Sequence, residues 1–130
     1  MSVSLAGMPI IFHITTSAAW ASRTMGPNGE IGTAAEGAYR TEMLPIEGFI
    51  HCSTRAQVIQ VANIRFRGQP GLVLLSIDTD RVKAAIRYEN LEGGQQLFPH
   101  VYGEINNDAV VQVSAFEPGE DGYFALPDGL

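Results

Sequence analysis

The chain is predicted to fold as an α+β domain, and three observations carry that prediction. "GLVLLSID", from Gly71 to Asp78, is an unbroken apolar run of strand length, the pattern of a strand covered on both faces. The stretch after Thr54 carries the one strong helical period in the chain. The remaining apolar segments are short, β-branched and separated by Gly, Pro and Asn rather than by helices, so six or seven strands accompany two helices. With 130 residues and 45% hydrophobic content, residues 1–130 form a single domain, long enough to bury a core and too short for a second one.

The elements follow in order. Pro9 to Thr15, "PIIFHIT", is a strand buried at its start. Thr16 then caps a short helix over Ser17–Met25, stopped by Gly26 and Pro27. "GPNGEIGTAAEGAYR" has no apolar period and is a long surface loop leading to a short extended piece at Tyr39. "EGFIHCS" is the next strand, and Thr54 with Gln57 three residues on is a capping box. Val58, Val61, Ala62 and Arg65 share one face of the helix it opens, Ile59 and Phe66 widen that face, and Gly68 closes it. Leu72–Asp78 is the central strand. "AIRYE" is a further short strand, and Gly93 and Gly94 precede "FPHVYGEI". Asn106, Asn107 and Asp108 then turn the chain into "AVVQVSAF" as a hairpin partner. The tail "EPGEDGYFALPDGL" is acidic and rich in Gly and Pro, so the ordered core is expected over about 9–116 and a flexible acidic tail over 117–130.

Eight Lys and Arg against fourteen Asp and Glu give a formal charge of −6 and a pI near 4.9. That field repels nucleic acid and acidic membranes. One cysteine cannot make an internal disulfide, and "MSVSLAGMPIIFHITT" has neither a basic start nor a long apolar run. A cytoplasmic protein is expected, monomeric or weakly dimeric, with no membrane partner.

The chemistry centres on "GFIHCST", where His51 stands beside the only cysteine, Cys52. Successive strand side chains point to opposite faces, so His51 and Cys52 cannot act together on one atom. Phe49, His51 and Ser53 share one face; Ile50 and Cys52 share the other, where Cys52 is a small core residue. The same parity relates all three histidines to a hydroxyl two positions on: His13 to Thr15, His51 to Ser53 and His100 to Tyr102. The intervening Ile14, Cys52 and Val101 are apolar, so each strand presents a polar pair on one side. A lone histidine is more often a satisfied or surface residue; three with one spacing point to a shared cleft. Three imidazoles on strands could hold a metal with an open position, but no H-x-H pair fixes two nitrogens on one ion, and no metal is expected. The favoured chemistry is recognition of a nucleotide, with His and hydroxyl groups on ribose and phosphate oxygens and Tyr39 or Tyr102 stacking on a ring. No P-loop or G-x-G-x-x-G occurs, although the helix opening at Thr54 could offer amides to an anion.

"IFHITT…W", "EGFIHCST…Q…VAN", "GLVLLSID", "IRYE" and "FPHVYG…AVV" together resemble the uncharacterised bacterial family numbered 952 among domains of unknown function, over about Ile10 to Val113. That family is similar in turn to the ADP-ribosyltransferase fold, including the RNA 2′-phosphotransferases, with a strand of type L-Y-H-G-T, a strand of type V-H-L-S, a helix and a buried strand ending in Asp. "IFHIT", "FIHCS" and "LVLLSID" stand in those places. The resemblance implies a small split, mostly antiparallel sheet, and NAD as substrate. It implies His13 and Thr15 on the ribose and nicotinamide amide, and His51 and Ser53 in the same cleft. Glu89 or Glu104 would stand in for the carboxylate that holds the ribose, Glu89 matching the family pattern better. Two features depart from the pattern. Ile14 replaces a glycine that permits close backbone approach, and no arginine adjoins His13; only Arg40, Arg55 and Arg87 lie near the motifs. The expected catalytic set is His13, His51, His100, Tyr102 and Glu89, and the expected ligand contacts are His13, Thr15, Tyr39, Ser53, Thr54 and Arg87. The expected reaction is displacement of nicotinamide with transfer of ADP-ribose. The alternatives are a non-catalytic nucleotide-binding module of the same fold and a three-His metal enzyme.

Overall fold

Leu72–Asp78 is the strand around which the domain is built, because its side chains are covered on both faces. The computed structural model describes residues 9–22, 37–91 and 93–130. Among these the order is β1 (Ile10–Thr16), α1 (Ser17–Ala21), β2 (Ala38–Tyr39), α2 (Leu44–Glu47), β3 (Ile50–His51), α3 (Arg55–Arg65), β4 (Leu72–Asp78), β5 (Ala85–Glu89), β6 (Phe98–Tyr102), β7 (Ile105–Asn106), a 3-10 turn (Asn107–Ala109) and β8 (Val110–Phe116). Every strand pairing is antiparallel. One sheet runs β1-β4-β8, a second β3-β6-β5, and β2 pairs with β7. Among the described residues an isolated bridge, Phe12 to Ser53, joins the first two; each of these residues donates its N–H to the other's carbonyl, at 2.7 and 2.8 Å. The sheet is split there.

Strand alternation divides the core between the faces of β4. Leu72 and Leu74 pack with Phe12, Val58, Ala62 and Phe116 beneath α3. Leu75 and Ile77 pack on the other face with Ile11, Tyr39, Ile50, Cys52 and Val101. Cys52 and Ile50 thus share a buried face as the parity of "GFIHCS" requires. Burial pushes the Cys52 thiol upward, far from thiolate chemistry.

Both predicted helix starts are present: the Thr16 hydroxyl accepts from Ala19 N at 3.0 Å, and Gln57 Oε1 accepts from Thr54 N at 3.0 Å. Gly68, in the left-handed region at φ 77°, follows α3 as expected. The helix buries Gln57, Val58 and Ala62, while Val61 is half-buried and Arg65 exposed. The predicted end of the first helix at Met25 and most of the loop after it lie outside the described residues. No helix among the described residues is long and apolar enough to cross a membrane.

Three expectations are corrected. A third helix, α2, has Pro45 in its first turn and Gly48 at φ 84° as its cap; four residues are too few for a helical period to register. β8 is not the hairpin partner of β6, since the turn at Asn107–Ala109 sends it to β4, with Leu72 opposite Phe116, where its apolar residues find the buried strand. The 117–130 tail is docked rather than loose. Phe124 stacks on Phe116 at 4.7 Å and 28°, its N–H donates to Asn63 Oδ1 at 2.7 Å, and Leu126 and Leu130 join the same cluster. These apolar anchors outweigh the acidic, Gly-rich composition around them.

Candidate functional site

Where the sheet splits, a cavity of about 370 Å³ opens between the strand ends and α3. Its polar wall is made by His51, Ser53, Glu89 and His100, and its apolar wall by Val61, Ile64, Leu91 and Phe98, with His13, Arg65 and Gln60 also on the lining. All three histidines border one cavity, as their shared spacing suggested, yet they do not border it equivalently.

The β3-β6-β5 sheet builds the open side. Its register sets His51 opposite His100, then Arg87 opposite His100 and Glu89 opposite Phe98. Phe98, His100 and Tyr102 alternate with buried Pro99 and Val101, so polar and aromatic groups gather on one face. The His51 and His100 rings lie 5.4 Å apart, and Phe49 packs against each at 4.9 Å. His51 Nε2 lies 3.2 Å from Glu47 Oε2, with the His51 side chain 47% exposed. His100 is buried, and its Nδ1 has no hydrogen-bond partner among the described residues; Glu89 Oε1 stands 3.9 Å away. Burial, reinforced by His51, lowers the His100 pKa, and Glu89 opposes part of that shift. The Tyr102 hydroxyl donates to Glu89 Oε1, which raises the phenol's pKa, and the Arg87 guanidinium lies 5.1 Å over the Tyr102 ring.

The β1 side is sealed. His13 Nδ1 is 2.6 Å from the His51 carbonyl, His13 Nε2 is 2.9 Å from the Tyr39 hydroxyl, and the Tyr39 and Thr15 hydroxyls are 2.8 Å apart. A carbonyl only accepts, so Nδ1 carries the proton; a neutral imidazole must then accept at Nε2 from Tyr39, whose own oxygen accepts from Thr15. Burial holds His13 neutral by lowering its pKa to about 4, against the opposing pull of the His51 carbonyl. The same burial raises Tyr39 to about 12. Both ring nitrogens of His13 are spent inside the protein.

This geometry revises several expected roles. Tyr39 is 1% exposed and packs against His13 and Trp20, so it offers no face for a base to stack on. His13 and Thr15 brace the wall through that relay instead of presenting polar atoms to a ligand. Thr54, Arg87 and Tyr102 are absent from the cavity lining: Thr54 caps α3, and Tyr102, with Arg87 over its ring, holds Glu89. Glu104 is exposed and outside the lining, whereas Glu89 is on it. Among the described residues no three His, Cys, Asp or Glu side chains group as a metal site, and the committed nitrogens of His13 rule it out as a third ligand. Glu47, Phe98 and the outer face of α3 were missed. Phe98 was within reach of the His100 parity, whereas the Glu47 contact depends on a helix too short to see.

Residues 27–113 match the family described as protein of unknown function (DUF952), and the chain belongs to that family. Among solved structures it is similar to the crystal structure of protein CC0527 from Caulobacter crescentus, at 27% identity and a TM-score of 0.68, covering 90% of this chain and 94% of that one. The solution NMR structure of the same protein matches at 27% identity and a TM-score of 0.68 over 95% and 97%. A double mutant of it matches at 28% and 0.67 over 90% and 94%. No curated protein matches.

Proposed function

We propose that the cavity binds a ribose-bearing nucleotide, NAD or a close relative, and that the protein transfers ADP-ribose from it. The observation that carries this reading is Glu89: a carboxylate on the cavity wall, held by the Tyr102 hydroxyl and set beside His100. A carboxylate so placed accepts from a ribose hydroxyl and opposes positive charge developing at C1′ as nicotinamide leaves. His51, His100 and Ser53 supply polar contacts to the sugar, and the apolar wall of Val61, Ile64 and Phe98 takes a flat ring. A volume of about 370 Å³ suits a nucleoside-sized portion of the ligand, with the remainder outside.

The split between two antiparallel sheets, bridged among the described residues at Phe12 and Ser53, supports the likeness to the ADP-ribosyltransferase fold. A binding module without chemistry is the second reading, favoured by the sealed His13 and by Ile14 at the glycine position. Calorimetric titration with ADP-ribose, together with chromatography of nicotinamide released from NAD, tests both. Binding with release supports transfer, binding without release supports the module, and no binding removes both readings.

A further inference from the structure

Glu47 opens the "EGFIHCS" stretch but ends α2 rather than joining the strand, and from there its carboxylate reaches His51 at the cavity wall. A carboxylate only accepts, so His51 donates from Nε2, and in the neutral imidazole Nδ1 is then the acceptor. An exposed pair of this kind adds little stability. What it does is fix tautomer and ring orientation, as the carboxylate partner of a catalytic imidazole does. Phe49, edge-on to both His51 and His100, holds the ring from the other side. His51 and Glu89 stand on one face two strands apart and two residues out of register, on β3 and β5 with β6 between them, a backbone spacing of about 12 Å that leaves room for a sugar.

We infer that His51 is a general base acting on water at the ribose C1′, with Glu47 as its positioning residue; the assignment rests on the nucleotide reading above. A water O–H proton passes to His51 Nδ1 while the water oxygen bonds to C1′. The C1′–N bond breaks with its electron pair left on the nicotinamide nitrogen, which cancels the pyridinium charge, and Glu89 faces the positive charge at C1′ meanwhile. The products are ADP-ribose, nicotinamide and one proton, which His51 returns to solvent.

The full chain is assayed for nicotinamide release from NAD, and each variant is also titrated with ADP-ribose. His51→Ala is expected to lower kcat by about 100-fold. Glu47→Ala is expected to lower kcat by roughly tenfold or more with little change in KM, and Glu47→Gln, whose amide oxygen still accepts from Nε2, restores most of it. Unchanged kcat in Glu47→Ala, or Glu47→Gln as impaired as Glu47→Ala, overturns the dyad. A wild type that binds ADP-ribose but releases no nicotinamide overturns the dyad and leaves the binding site standing. A wild type that binds neither compound removes the nucleotide reading along with it.

Discussion

His13 and His100 are both nearly buried imidazoles bordering one cavity, and their surroundings give them opposite work. His13 sits on β1 with both nitrogens committed, one to a carbonyl and one to Tyr39. His100 sits on β6 with Nδ1 unpartnered among the described residues and a carboxylate 3.9 Å away. Burial lowers the pKa of each, so neutrality alone does not separate a structural histidine from a functional one. The accounting of hydrogen bonds does, because a satisfied group gains nothing further from a ligand whereas an unsatisfied one does.

The sharpest way to break this comparison is to remove each imidazole. His13→Ala leaves the Tyr39 hydroxyl and the His51 carbonyl without their partner and opens a void, so urea unfolding should show a loss of about 3–4 kcal/mol. His51→Ala should cost less than about 1 kcal/mol. Equal losses from the two would erase the distinction.

Acid should find the same difference. In the unfolded chain the His13 imidazole takes up a proton near pH 6.5, whereas in the folded chain it stays neutral down to about 4. Stability therefore falls as pH drops through that window, by on the order of 3 kcal/mol from this group, and levels off below it. His100, also lowered, adds to the fall in the same direction. Unfolding curves between pH 7.5 and 4 should show a shallower acid slope in His13→Ala; an unchanged slope would mean that His13 titrates normally in the fold.

Smaller effects test the open side. Glu89→Gln should weaken ADP-ribose binding by about 1–2 kcal/mol, the range for a charge-assisted hydrogen bond, without shifting the melting temperature. Cys52→Ala, on the buried face behind His51, should cost on the order of 1 kcal/mol of stability and leave that affinity unchanged. A loss of affinity there would mean that the faces of β3 are not independent.

Strand parity was legible in the sequence because it has a period of two: "GFIHCS" assigned Cys52 to the core and His51 to the cavity, and "FPHVY" did the same for Val101 and His100. The capping residues Thr16 and Thr54 were legible because a cap is a local interaction. The partner of β8 was not, since a turn at Asn106–Asp108 fits a hairpin and a crossover equally well until the exposed edge of β4 is known. Nor was the sealing of His13, because it depends on Tyr39, 26 residues away along the chain, and on a carbonyl that any residue could have supplied. The tail was misjudged because composition averages over Phe124, Leu126 and Leu130, which dock it.

The central claim, that one cavity has a sealed histidine and two open ones, is tested most directly by NMR of the histidine ring nitrogens at neutral pH during titration with ADP-ribose. His13 should appear as the neutral Nδ1-protonated tautomer and hold its shifts, while the His51 and His100 resonances move together along one saturating curve. Movement of His13 as large as theirs, or no movement of His51 and His100 at saturating ADP-ribose, would contradict the account.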